Sequence, residues 1–347
     1  MKPGGCRRRR VTGPVRAAEM RAAAERGSST MRAGVITGPG SAHVDRLAMP
    51  EPKAGQVRLR LEGCGVCGSN LPVWEGRPWF EYPLPAGAPG HEGWGVIDAV
   101  GPDVVGLAPG DRVAALSGRA FAEYDLADAD AVVPLPNTLG SQPFPGEPLG
   151  CAVNVFRRAE IRPGDTVVVI GIGFLGAVIT RLASHAGARV VAVSRRPFAL
   201  EVARSQGADI VLPLSDHARV TEEVERLTEG AGADRVIEAV GLQEPLDLAG
   251  QLTRVRGRLV VAGYHQDGMR QVNMQLWNWR GIDVINAHER DPGIALDGIR
   301  GAIRAVADGT LDLAPLCTHQ FELARLAEAL DTMRRRPDGF LKALVVT

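Results

Sequence analysis

A thiol at Cys67, an imidazole at His91 and carboxylates at Glu92 and Glu147 all stand upstream of a glycine turn, Gly171-Ile172-Gly173-Phe174-Leu175-Gly176. A thiolate, an imidazole and one carboxylate make a three-ligand zinc site that keeps a coordination position open. A metal held that way polarises an alcohol or carbonyl oxygen and lowers the pKa of a bound O–H. The glycine turn suits a different partner. Gly171 permits the tight turn, Gly173 lets the backbone approach a pyrophosphate, and Gly176 lets helix and strand pack closely, with free helix N–H groups facing the phosphates. Lewis acid first and redox cofactor second is an order that points to hydride transfer.

Beyond the glycines, the end of the next strand carries the cofactor's identity. An enzyme selecting NAD would hold the adenosine ribose there with an Asp or Glu. This chain has Ser194-Arg195-Arg196. Two guanidiniums and a hydroxyl suit a 2′-phosphate, which Arg can bind bidentately. A charge-assisted bond of about 1.5–3 kcal/mol favours NADP(H) over NAD(H) by about ten- to over a hundredfold.

The elements that must position these residues follow two patterns. From Met31 to about residue 150, short alternating segments such as Val57-Arg58-Leu59-Arg60-Leu61, with further strands at Gly93 to Val100 and Arg112 to Ala115, are separated by Gly/Pro turns, which predicts a β-rich domain. Near Gly150 the pattern changes. Thr166-Val167-Val168-Val169-Ile170 is a continuous apolar run, as in a strand buried on both faces of a parallel sheet. Helix follows to about His185, then strand, helix, strand and helix to Glu229, and two more strands at Arg235 to Ala239 and Arg258 to Ala262. Such alternation means βαβ units in a doubly wound α/β sheet. The expected division is a catalytic domain over 31–150, completed by helix, helix and strand in 287–347, and a nucleotide domain over 151–286.

Length and composition limit the remaining classes. With 347 residues there is ample chain for two cores. Net charge is zero, yet residues 1–30 carry eight Lys/Arg against Glu19 and Glu25. They read as a flexible basic extension, and the mildly acidic remainder argues against a nucleic-acid partner. Five cysteines, an odd and scattered set, do not form a disulfide framework. No apolar run spans a membrane, and the Arg7–Arg10 cluster lacks the apolar segment of an export signal, so a cytoplasmic protein is expected.

Gly63-Cys64-Gly65-Val66-Cys67-Gly68-Ser69, Gly90-His91-Glu92-Gly93, Gly110-Asp111-Arg112-Val113, the glycine turn and Glu238-Ala239-Val240-Gly241 occur in that order. Together they resemble the zinc-dependent alcohol dehydrogenases of the medium-chain dehydrogenase/reductase superfamily, over Met31 to Thr347. The resemblance implies a GroES-like catalytic domain and a Rossmann domain, with Cys67 and His91 as ligands of one catalytic zinc. Polyol- and secondary-alcohol-type members place the third ligand 24 residues before the first glycine of the turn, where Glu147-Pro148-Leu149 stands, whereas Cys151 lies 20 before it. Glu147 is favoured, Cys151 is the alternative, and Glu92 either reaches the metal or orients the site. No four-cysteine lobe follows Arg112-Val113, so no structural zinc is expected.

By the same resemblance Ser69 is the first proton-relay hydroxyl, while Pro72 stands where many relatives have a relay His, so the usual proton exit is missing. Asn70 replaces an Asp and would accept the His91 N–H. Phe174, Leu175, Val240 and Lys342 join the cofactor contacts, Lys342 near the pyrophosphate. The substrate is expected to be a polyol, sugar derivative or secondary alcohol, and the enzyme a homodimer or homotetramer. Two alternatives stay open: a metal-free quinone or enone reductase of the same superfamily, and a non-catalytic nucleotide-binding protein on this fold.

Overall fold

The structure, a computed structural model, describes residues 29–347; the basic extension expected over residues 1–30 lies almost wholly outside them. Two sheets organise the molecule. The first has seven strands, in the order His319–Glu322, Ala343–Val346, Gln56–Gly65, Glu92–Val100, Arg112–Ala115 and Val132–Pro134, with Tyr124–Asp128 also pairing Gln56–Gly65. Alternation along Gln56–Gly65 sends Val57, Leu59 and Leu61 into a core shared with Ile97, Val113, Phe121 and Leu330. Ala343–Val346 adds antiparallel to Gly63–Gly65, so the last strand of the chain lies beside the loop that carries Cys67.

The second sheet is wholly parallel: Ile210–Pro213, Arg189–Ser194, Thr166–Ile170, Ala233–Glu238, Thr253–Val261, Asp283–Asn286. Numbered along the chain this is 3-2-1-4-5-6, the Rossmann order, whose switch point lies beside the first strand. Thr166–Ile170 is buried at every position, as its unbroken apolar run requires. Helices Phe174–His185, Pro197–Ser205, His217–Leu227 and Gln243–Leu252 cover the two faces.

Several elements depart from the sequence reading. Helix Gly146–Ala159 was not expected, because its first turn holds Gly146 and Pro148. Proline is tolerated there, where its missing N–H would be unpaired in any case. Gln243–Leu252, Met274–Arg280 and the short strands Asp283–Asn286 and His319–Glu322 were likewise unmarked, and the helix expected from Gly298 begins at Pro292, capped by Asp291. The Gly-Asp-Arg-Val segment acts structurally. Arg112 pairs with Glu62 at 2.8 Å and donates to the carbonyls of Gly140 and Gln142 at 2.9 and 2.7 Å, fixing the loop that leads into Gly146–Ala159.

Candidate metal centre and cofactor site

Cys67 opens a short 3-10 turn, Gly68–Asn70, after the long strand Gln56–Gly65. Asn70, fully enclosed, accepts from the Cys67 backbone N–H at 2.9 Å and donates to the Pro89 carbonyl at 3.2 Å. His91 Nδ1 also lies 2.8 Å from that carbonyl. A carbonyl only accepts, so Nδ1 carries a proton whatever the charge of the ring, and Nε2 is the nitrogen that gives up its proton to offer a lone pair. The expected Asn70–His91 bond is therefore replaced by a shared acceptor, with Asn70 holding the carbonyl that orients the ring.

One donor atom each from Cys67, His91 and Glu92 falls within 4.8 Å of the others. Bonds of about 2.0–2.3 Å to a tetrahedral ion put its ligands about 3.3–3.8 Å apart, so a small contraction would seat zinc on this thiolate, imidazole and carboxylate. Burial works against a charged His91 ring, but Cys67, Glu92 and Glu147 outweigh it and lift its pKa to about 10. Glu147 lies outside that 4.8 Å set, although its charge is felt at His91. From the first turn of Gly146–Ala159 its Oε1 accepts the Cys151 thiol at 3.2 Å. Burial, then Glu147 itself, pushes the Cys151 thiol well above its ordinary range, which keeps it a protonated donor rather than a thiolate.

Lys342 is expected near the cofactor pyrophosphate. Instead it is 4% exposed and its Nζ donates to Glu92 Oε1 at 2.7 Å, with Glu92 wholly buried. Burial lowers the pKa of Lys342, and Glu92 and Cys67 more than reverse that. Room for the pair comes from Gly65, where a Cβ would sit 1.8 Å from Glu92 Oε2 and 2.9 Å from Lys342 Cε. The same ammonium lies 5.1 Å from the centre of the Phe174 ring, at the start of the helix after the glycine turn. Lys342 thus links the metal candidates to the nucleotide turn, across a separation in sequence that no local pattern signals.

At that turn Gly171 has φ +100°, and a Cβ there would strike Val240 Cγ2 at 2.5 Å. A Cβ on Gly176 would lie 2.0 Å from the Gly171 carbonyl. Gly173 differs, since a Cβ there meets nothing within 4 Å. It faces open space at the N-cap of Phe174–His185, where no side chain caps the helix. That cradle fits a pyrophosphate approaching free N–H groups. Leu175 is half-buried beside buried Phe174, and the Val240 N–H donates to Glu238 Oε1 at 2.7 Å.

At the strand end Ser194 is buried and its hydroxyl lies 3.4 Å from the Arg196 N–H. Arg195 is exposed. Arg196 turns inward and donates to the carbonyls of Ile172, at 3.2 Å, and Phe340, tying the glycine turn to the C-terminal segment. Ser69 is half-buried one residue beyond Gly68, and Pro72 is buried in the next helical turn. Trp74 is 1% exposed with Nε1 bonded to Asp331 at 3.0 Å, a core position.

Residues 53–137 match the alcohol dehydrogenase GroES-like domain and residues 174–291 the zinc-binding dehydrogenase family. An erythritol/L-threitol dehydrogenase of Mycolicibacterium smegmatis is 28% identical over 358 aligned positions, covering 91% of this chain and 97% of that protein. An alcohol dehydrogenase of Rhizobium meliloti is 33% identical, over 67% of this chain and 77% of that one. The 2R,3R-butanediol dehydrogenase structure from Bacillus subtilis superposes with a TM-score of 0.80 at 23% identity, over 91% of this chain and 99% of that one, a likeness of fold.

Proposed function

Since this chain belongs to the zinc-dependent alcohol dehydrogenase family of the medium-chain dehydrogenase/reductase superfamily, and is an oxidoreductase of that type, we propose that it transfers a hydride between NADP(H) and a polyol, sugar derivative or secondary alcohol, or the matching carbonyl. What carries this reading is the convergence of Cys67, His91 and Glu92 within 4.8 Å, joined through Lys342 to Phe174 at the glycine turn.

Cys67 and His91 would hold the zinc, with the third donor from Glu147, at the position of the polyol-type ligand, or from Glu92, which already converges with them. Cys151, kept protonated by burial and by Glu147, is the weaker third donor. When bound, the metal supplies a Lewis acid for the substrate oxygen. The chain's own residues do the rest. Pro89 and Asn70 hold His91 in one tautomer, and Lys342 balances the buried Glu92 charge. Ser69 takes or gives the hydroxyl proton, which leaves by water or a cofactor hydroxyl because Pro72 stands in the relay position. Gly173 and the helix N-terminus receive the pyrophosphate, and Ser194, Arg195 and Arg196 the ribose 2′-phosphate. The open edge of strand Asp283–Asn286, and Trp279 at 88% exposure in the helix before it, support pairing with a second copy.

The test combines metal analysis of the wild type and Glu147→Ala with NADPH and NADH oxidation against a panel of carbonyls. Full zinc occupancy in Glu147→Ala would remove Glu147 from the ligand set. Equal use of both cofactors would remove the reading of Ser194–Arg196.

A further inference from the structure

Arg336 ends helix Leu326–Arg335, far in sequence from any nucleotide motif. Its backbone takes the left-handed conformation (φ 46°, ψ 62°), and its N–H closes the helix on the Thr332 carbonyl at 2.8 Å. The turn sends the guanidinium back toward the Cys67 loop. A Cβ on Gly68 would lie 4.0 Å from Arg336 Nη2 and 3.5 Å from Met333 Cε, so the missing side chain at residue 68 leaves the space that Arg336 borders.

From the other side comes the strand end of the nucleotide sheet. Arg196 reaches the carbonyl of Phe340, four residues beyond Arg336, and that of Ile172 in the glycine turn. This tether holds the 336–340 segment against Ser194–Arg196. Arg336 has its pKa held down by desolvation and then by the positive charge of Arg195, and Arg196 by desolvation and then by Arg336. The Arg196–Phe340 tether and the Arg336 contact at Gly68 set the 336–340 segment against the strand end that carries Arg195 and Arg196, and these shared charges agree with that placement. Arg196 is engaged by two carbonyls and neighbouring Arg334 pairs with Asp331 at 2.9 Å. Arg195 and Arg336, among the described residues, have no carboxylate or carbonyl on their guanidiniums.

We propose that Arg336 is a cofactor-binding residue, gripping the 2′-phosphate of NADP(H) together with Arg195 where the C-terminal segment is tethered to the strand end. This rests on the NADP(H) reading of Ser194–Arg196 and changes its membership: Arg196 is the tether, and the second cation at the phosphate comes from the other sheet's side of the molecule. A phosphate monoester of charge about −1.5 to −2 relieves the repulsion between the two arginines. The pyrophosphate has its own partners, the free N–H groups beyond Gly173.

The measurement is the affinity of the full chain for NADPH, NADH, 2′,5′-ADP and ADP, by fluorescence titration or calorimetry, in wild type and in Arg336→Ala, Arg336→Gly and Arg336→Lys. Loss of one charge-assisted contact should weaken NADPH and 2′,5′-ADP by about tenfold or more in Arg336→Ala and leave NADH and ADP within about twofold. Arg336→Gly, which relaxes the left-handed backbone, should lose as much, and Arg336→Lys less. Unchanged NADPH binding, equal weakening of NADPH and NADH, or recovery in Arg336→Gly would each overturn the assignment. If the wild type itself does not favour NADPH, the underlying reading falls as well; if it does and Arg336→Ala matches it, only the role of Arg336 falls.

Discussion

The metal candidates and the nucleotide turn are built by opposite means. Around Cys67, His91 and Glu92 the work is done by side chains, and the difficulty is charge: a buried carboxylate, a buried ammonium and a ring whose pKa is lifted to about 10 must satisfy one another. Around Gly171–Gly176 the work is done by backbone, and the requirement is the absence of side chains. One site is a balance of ions that each destabilise alone, the other a shape. The first should fail through lost chemistry and unpaired charge, the second through steric exclusion of a ligand.

Removing a metal donor tests that contrast most severely. Cys67→Ser and His91→Ala should lose metal and drop turnover by about a thousandfold, corresponding to the several kcal/mol a bound metal contributes. NADPH affinity, measured by titration, should stay near wild type, and a parallel loss would mean the sites are not separable. Lys342→Met comes next. It strands a wholly buried Glu92 carboxylate without its ammonium partner, and denaturant unfolding should show a loss of about 3–5 kcal/mol. The double variant Lys342→Met/Glu92→Leu should recover most of that stability, because a pair of buried ions gains little over apolar residues of similar size.

The glycines sharpen the other half. Gly176→Ala sets a methyl 2.0 Å from the Gly171 carbonyl and should cost about 1–3 kcal/mol of stability as strand and helix separate. Gly173→Ala meets no protein atom within 4 Å, so its melting temperature should hold while cofactor affinity falls by about tenfold. Equal stability losses in the two variants would remove the distinction between a packing glycine and a ligand-facing one.

The smallest effect is a pH dependence. With its folded pKa raised from 6.5 to about 10, His91 in metal-free protein contributes stability that is fully present below pH about 6.5 and fades as the pH climbs through about 10. A metal must displace that proton. Uptake near neutrality should therefore release about one proton from His91 per ion, and affinity should strengthen as pH rises toward 10. Calorimetry in buffers of different ionisation enthalpy reads the number, and zero release would mean that the ring is neutral before the metal arrives.

How much of this the sequence disclosed follows the same division. The nucleotide sheet was legible because its signals are local: an apolar run, a glycine spacing and alternating elements. Cys67, Ser69, His91 and Glu92 stood in short motifs and could be read in the same way. The charge balance could not. Lys342 meets Glu92 across 250 residues, through the last strand pairing beside Gly63–Gly65. Asn70 was expected to accept the His91 N–H, but the Pro89 carbonyl takes that place, and a backbone carbonyl is invisible in a motif of side chains. Glu147 was singled out by counting back from the glycine turn, while its helix was hidden by Gly146 and Pro148. Arg336 lay in the run Arg334-Arg335-Arg336, where only the backbone turn at its last member separates it from two surface arginines.

The most direct test of the central claim, that the metal cluster and the nucleotide turn serve one hydride transfer, uses NADPH deuterated at the transferable position. Single turnovers with a reducible ketone or ketose should place deuterium on the new C–H carbon in the zinc-loaded wild type. Metal-free Cys67→Ser should give none, although it still binds the labelled cofactor. Deuterium transfer at the wild-type rate in that variant would contradict the account and favour a metal-free reductase on the same fold.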